Sequence, residues 1–241
     1  MAEQLQAAEL FQQGTQSYVK KEYAKAVGLF EQALAQDKHN ATIITNLALA
    51  QYNLGKTSVA IGLLRKAIHL DPSLSTAKEG LEFVLSQTPR IEVPHQIQTY
   101  ESLRVKLLQP VPLYAYLAIS LLCLLTAGWT LLNYFGSRKK ALEEQTNSPA
   151  FPLVGTLLGV AFLLFSGLLV LKLYDTRILR GTIIEEKVSL QTAPGENQLA
   201  ILDLHGGMEV IIRSTQGEWS QVTYPGSLTG WVKNSSLLMT R

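Results

Sequence analysis

Two near-continuous apolar runs, residues 113–135 and 152–171, occupy the middle of the 241-residue chain, with a short charged stretch between them. A helix rising 1.5 Å per residue crosses a bilayer in about 20 apolar residues. The pattern therefore predicts transmembrane helices over 113–135 and 151–174, joined by a charged loop over 136–150. Two crossings return the chain to the side it came from, so both termini are expected on one side of one membrane. The flanks read differently. Apolar residues recur with helical spacing through 1–88 and predict helices at about 4–20, 23–36, 41–54, 57–70 and 73–87. From Lys187 onward the period drops towards two, which predicts short strands at 188–190, 199–202, 208–213, 219–224 and 229–232. The turns between them are read at Ala193-Pro194-Gly195, His205-Gly206-Gly207, Gln216-Gly217 and Pro225-Gly226. Residues 89–112, with Pro89, Pro94, Pro110 and Pro112, read as a linker whose Leu103, Val105, Leu107 and Leu108 are expected on the membrane surface.

Shifting the N-terminal part by 34 residues reproduces it: Tyr18 falls on Tyr52, Ala26 on Ala60, Ala33 on Ala67, Leu34 on Ile68 and Asp37 on Asp71. A 34-residue helical period is the tetratricopeptide (TPR) signature, in which small residues let antiparallel helices cross closely. Phe30 and Leu64 fill the space between the paired alanines, and Gly14 and Ala48 are the small positions on the first helices. The expected domain is 1–88, with repeats at about 7–40 and 41–74 and a capping helix at 75–87. Gln13, Ser17 and Lys38 depart from the usual pattern and weaken the first repeat.

TPR arrays bind peptides or partner helices in the groove lined by the first helix of each repeat. Here that face is expected to carry Phe11, Thr15, Tyr18 and Val19, then Thr45, Asn46, Leu49, Tyr52 and Asn53. Tyr18 and Tyr52 fit the core equally well. Of the residues that clamp a C-terminal carboxylate in one TPR class, Asn46 alone matches; Phe11, Thr15, Thr76 and Gly80 hold the other positions. That mode is excluded, and a more apolar, hydrogen-bonding groove is left.

The apolar runs carry small-residue faces: Ser120, Cys123 and Ala127 on the first, and Gly155, Gly159 and Ser166 on the second. Small residues allow close backbone approach in lipid, so these faces are expected to meet each other or a partner's helix. Neither run holds a charged residue, which argues against a transport path or proton relay. Orientation is ambiguous by charge. Arg138, Lys139 and Lys140 lie in the loop, against Arg90, Arg104, Lys106, Lys172, Arg177, Arg180 and Lys187 on the outer flanks.

Composition removes several function classes. The net charge is +2, and residues 1–88 balance eight acidic against eight basic side chains, so no basic stripe suits nucleic acid. The single cysteine excludes an internal disulfide. His39, His69, His95 and His205 are scattered, and no metal-ligand, phosphate-loop or nucleophile motif is present. The expectation is a protein with no cofactor, no metal and no catalytic centre.

In the C-terminal part, Gly217, Trp219 and Val222 followed by Gly230-Trp231-Val232 resemble bacterial SH3 domains, over about 183–241. The segment 204–210 fits the same family's turn and third strand. The resemblance implies a small barrel with Trp219, Tyr224 and Trp231 as the candidate surface, and cell-wall peptide or protein as ligand. Trp219 and Trp231 fit core packing better than a binding platform. The expected fold class is thus a multidomain membrane protein: all-α TPR repeats, a two-helix transmembrane hairpin and an all-β SH3-like barrel.

The full order resembles the BatE-like branch of the Bacteroides-aerotolerance (Bat) family. The repeat alanines, the segment Ala77-Lys78-Glu79-Gly80-Leu81-Glu82-Phe83 and the terminal Gly230-Trp231-Val232 carry the likeness. It implies a scaffold in the bacterial inner membrane, acting with von Willebrand A-domain Bat proteins and a MoxR-type ATPase. Family members usually carry a signal peptide and hold both soluble parts outside the cytoplasm. The opening MAEQLQAAEL has neither a basic nor an apolar leader region, so Ala2-Glu3 is read as a mature start, with the soluble parts periplasmic and a cytoplasmic placement as the alternative.

Overall fold

Helix α1 (Ala2–Val19) opens the structure, a computed structural model that describes residues 2–89, 99–224 and 228–240. The expected linker's residues 90–98 and the Pro225-Gly226 turn lie outside the described residues. The chain divides into two compact units, Met1–Glu101 with Ile178–Arg241, and Ser102–Arg177.

In the first unit α1 is followed by α2 (Tyr23–Gln36), α3 (Ala41–Asn53), α4 (Thr57–Leu70) and α5 (Ser75–Gln87). Local chemistry sets the boundaries. Asn40 starts α3 by accepting from Thr42 N and Ile43 N, both at 3.1 Å. Gly55, at φ +81°, ends α3; Gly55 N donates to Tyr52 O and Lys56 N to Gln51 O, which satisfies two orphan carbonyls. The same pair of bonds closes α1 around Lys21 at φ +63°, although lysine carries a Cβ there. The paired alanines Ala26, Ala33, Ala60 and Ala67 are fully buried with Phe30 and Leu64 between them. Each of those two large side chains contributes roughly 1.5–3 kcal/mol of burial. Gly14 is required here because a Cβ would stand 2.6 Å from the Phe30 ring.

Among the described residues, the C-terminal part forms one seven-stranded antiparallel sheet. Its strands are β1 (Arg180–Ile183), β2 (Lys187–Gln191), β3 (Ala200–His205), β4 (Glu209–Gln216), β5 (Trp219–Thr223), β6 (Thr229–Lys233) and β7 (Leu237–Met239). The order across the sheet is β3-β2-β6-β5-β4-β1-β7. Ile183, Leu190, Leu204, Val210, Ile212, Val222, Val232 and Leu237, drawn from all the strands, share one core. Most of these side chains are fully buried, so one face of the sheet is closed off from water. Register shifts at Leu190/Gln191 and Ile212/Ser214 bend it.

The sheet is not a free-standing body. It packs on the outer face of α4 through Ser58, Ile61, Gly62 and Arg65, a helical stripe. Arg65 Nη1 donates to Thr182 Oγ1 at 2.9 Å and to Gly207 O at 2.7 Å. Gly62 gives room to Leu238 and Thr182, whose side chains would lie 3.3–3.4 Å from an added Cβ. Gly207, at φ +86°, lies close against Ile61, and Gly206 against Ser58. Leu238 of β7 joins the helical core. Arg180 is buried and pairs with Glu101 of α6 (Thr99–Leu103) at 3.2 Å.

The second unit holds a one-turn π-helix (Arg104–Leu108), α7 (Leu113–Glu143) and α8 (Leu153–Arg177). Helix α7 runs eight residues past the expected end at 135, because Arg138, Lys139 and Lys140 continue as helix; Lys139 and Lys140 lie 3.8 and 3.7 Å from Glu143 and Glu144. Of the four leucine and valine side chains expected on a membrane surface, Leu108 is instead fully buried, its carbonyl accepting from Lys172 Nζ. Arg104 pairs with Asp175 at 3.3 Å. Both long helices are long and apolar enough to cross a bilayer, and their outward leucines, Leu125, Leu132, Leu157 and Leu163 among them, are more than half exposed.

Candidate functional site

The inner face of the repeats is built by α1, α3 and α5. Phe11 lies half-buried against Phe30, with ring centroids 5.7 Å apart. Thr15 Oγ1 donates to Phe11 O at 2.9 Å. The Tyr18 hydroxyl accepts from Asn53 Nδ2 at 3.0 Å, which brings together two expected groove residues from different repeats. Tyr18 and Tyr52 are both half-buried and rest on the core, which leaves part of each ring exposed. Leu49 is half-buried, and Asn46 Nδ2 donates to Thr42 O at 2.9 Å. Val19, at the end of α1, is 75% exposed.

Thr45 behaves otherwise. It is 2% exposed and its hydroxyl donates to Ala41 O at 2.8 Å, so it offers nothing to a ligand. Two features of this face were not anticipated. Phe83 of α5, 53% exposed, meets the edge of Tyr52 at 5.7 Å and extends the aromatic strip. The 34-residue shift that related the repeats maps Leu49 onto Phe83, so the signal was present. The second feature is a cavity of about 310 Å³ lined by Ala7, Ala8, Phe11, Asp37, Asn40, Thr42 and Ile43. No periodicity marks it, because it is the gap between two helices and a turn.

On the sheet, Ser220, Val222, Gly230 and Val232 point inward and are buried, which leaves Trp219 and Trp231 on the opposite face. Trp231 stands across from Gln221 and Gln191 in register. Lys233 lies 5.6 Å from the Trp219 ring centre, and its ammonium is 3.0 Å from Glu196. The hydrogen bond and charge of Glu196 push the Lys233 pKa up. Tyr224 is half-buried and packs against the sheet core. The expected helix-pairing residues of the second unit mostly meet. Ser120 and Ser166 share a hydrogen bond at 2.7 Å, Cys123 and Ala127 are buried, and Gly155 accommodates Thr130. Gly159 has nothing within 4 Å of where a Cβ would stand.

A tetratricopeptide-repeat family model matches residues 20–78. Among solved structures, the first TPR domain of Spaghetti (RPAP3), determined with the HSP90 peptide SRMEEVD, is 24% identical at a TM-score of 0.33, over 34% of this chain and 68% of that one. No curated protein matches the chain. The family match shows that the chain contains tetratricopeptide repeats, an interaction fold; two apolar helices and an antiparallel sheet packed on α4 accompany them.

Proposed function

We propose that this chain is a non-enzymatic scaffold, anchored in a membrane by the α7–α8 hairpin, that presents a TPR groove and an SH3-like barrel on one side of it. The observation that carries the reading is the packing of the sheet on α4. Residues 1–101 and 178–241 form one unit held by Arg65, Gly62 and Leu238. A chain that crosses a bilayer between those segments has to cross an even number of times. Two apolar helices meet that demand, and their outward leucines are compatible with lipid and unfavourable in water. The groove, with Tyr18, Leu49, Tyr52 and Phe83, is the partner site. The resemblance to the Bat family supports a bacterial inner-membrane complex with von Willebrand A-domain partners, an associated MoxR-type ATPase and periplasmic soluble parts.

Protease treatment of intact spheroplasts, read with tags on both termini, tests the layout: both tags are removed together if the soluble parts face outward. Protection of both gives a cytoplasmic placement, and removal of one alone overturns the hairpin. Crosslinking in membranes tests the scaffold: a membrane protein captured by the native chain is lost on Tyr52→Ala with Phe83→Ala and kept on Trp231→Ala. A cell-wall or peptide sensor is the second reading, favoured by Trp219 and Trp231 sharing an outward face. It requires peptidoglycan fragments to bind the full chain and to bind Trp231→Ala more weakly.

A further inference from the structure

We propose that the cavity between α1 and α3 seats one large apolar side chain of a protein partner, and that a lysine or arginine beside that side chain pairs with Asp37. The proposal rests on the reading of the repeats as a partner-binding scaffold and names the chemistry of the segment bound.

Size and lining set the first half. At about 310 Å³ the cavity is at the small end of ligand pockets, suited to a single side chain. Ala7 and Ala8 on one wall leave the space that larger residues would fill, while Phe11 and Ile43 make the remainder apolar.

Charge sets the second half. Among the described residues of the lining, Asp37 is the one that ionises. Its neighbour Asn40 is already committed: the amide oxygen accepts from Thr42 N and Ile43 N, and the amide nitrogen donates to Asp37 Oδ2 at 2.9 Å. The rim is therefore left with the Thr42 hydroxyl, which donates or accepts, and with the charged Asp37 carboxylate, which only accepts. An acidic segment would set like charges together over an apolar floor. A cationic side chain meets its complement there and keeps its apolar neighbour in register with the cavity. The second repeat lacks this arrangement. Asp71, the equivalent of Asp37, accepts from Ser73 N at 2.9 Å and Ser73 Oγ at 2.6 Å through Oδ1, and Leu74 stands where Asn40 lines the cavity in the first repeat.

The test is selection of a random twelve-residue phage-displayed library on the full chain in nanodiscs, followed by fluorescence anisotropy of the enriched peptides. The enriched sequences are expected to hold a Leu, Ile, Met or Phe with Lys or Arg within two positions. Asp37→Asn, which can keep the bond to Asn40, should weaken them about two- to fivefold, as expected for a partly exposed ion pair, and less at high salt. Ala8→Phe fills the cavity from an exposed helix position and should abolish binding while the helical circular dichroism is retained. Peptides without a basic residue, or with affinities unchanged by both substitutions, overturn the proposal; if Tyr52→Ala still weakens them, the groove reading survives. A library that enriches nothing beyond what Tyr52→Ala with Phe83→Ala enriches removes the groove reading as well.

Discussion

The two repeats share a period, a core and a helix order, yet their outer faces meet different surroundings. Gly28 of α2 and Gly62 of α4 are equivalent positions; an added Cβ meets nothing within 4 Å at the first and meets Leu238 and Thr182 at the second. Three residues further, Glu31 stands in α2 where Arg65 stands in α4. The sheet turns a hydroxyl and a backbone carbonyl towards that position, and only a donor satisfies both. A carboxylate would face Gly207 O with its own lone pairs. The difference teaches that core residues define the repeat, whereas residues outside the core, with Arg65 in place of Glu31 among them, distinguish the repeat that carries the sheet.

The core is the common part, so substitutions there should not distinguish the repeats. Phe30→Ala is expected to destabilise by about 3–5 kcal/mol and Leu64→Ala by about 2–5 kcal/mol, measured by chemical denaturation of the full chain in nanodiscs. A much smaller loss in one repeat would mean that it is not held by the same packing.

The outer face should separate them. Arg65→Ala is expected to cost about 1.5–3 kcal/mol, because it removes two hydrogen bonds from a charged donor. It should also raise amide exchange in β1 and β7. Glu31→Ala should stay within about 0.5 kcal/mol of the native chain. Gly62→Leu should reproduce the Arg65 effect by overpacking, at about 1–3 kcal/mol, with Gly28→Leu as the tolerated control. Equal effects at the two repeats would sink the account of the docking.

The helix ends give a smaller contrast of opposite sign. Lys21 and Gly55 occupy equivalent left-handed positions. Lys21→Gly is expected to stabilise by about 0.5–1 kcal/mol, and Gly55→Lys to destabilise by a similar amount, read as shifts in the denaturation midpoint.

The smallest effect concerns pH. The Ser73 hydroxyl, and then the Ser73 N–H, hold the Asp71 carboxyl below the usual carboxylate range. A depressed folded pKa stabilises the fold above the unfolded carboxylate pKa, and the contribution is lost as pH falls through the folded value. Ser73→Ala should move the Asp71 midpoint upward in a carbon-13 carboxyl titration; an unmoved midpoint would reject the assigned cause.

Much of this was legible along the chain. Alternation at helical period marked α2 and α4 at their observed bounds, because paired alanines and a central large residue leave one way to bury each face. Strand alternation was equally readable in β5 and β6. The face expected to line a groove was legible where the period repeated a residue type, as for Tyr18 and Tyr52, which are both half-buried. It was misread at Thr45, whose polarity suggested exposure although a threonine inside a helix satisfies its own hydroxyl. Leu108 was misread for the related reason that an apolar residue before an apolar helix gives no sign of its partner, here the Lys172 ammonium that donates to the Leu108 carbonyl.

By itself the sequence determined the repeats, the two apolar helices and the alternating strands, since each depends on contacts within a few residues or one repeat. Tertiary structure alone decided that the sheet rests on α4 and not α2, and that a cavity with Asp37 on its rim opens between α1 and α3. The bonds that dock the sheet join Arg65 to residues 117 and 142 positions away. Periodicity reports which face of a helix is covered. What covers it depends on shape and donor–acceptor complementarity between segments far apart in the chain.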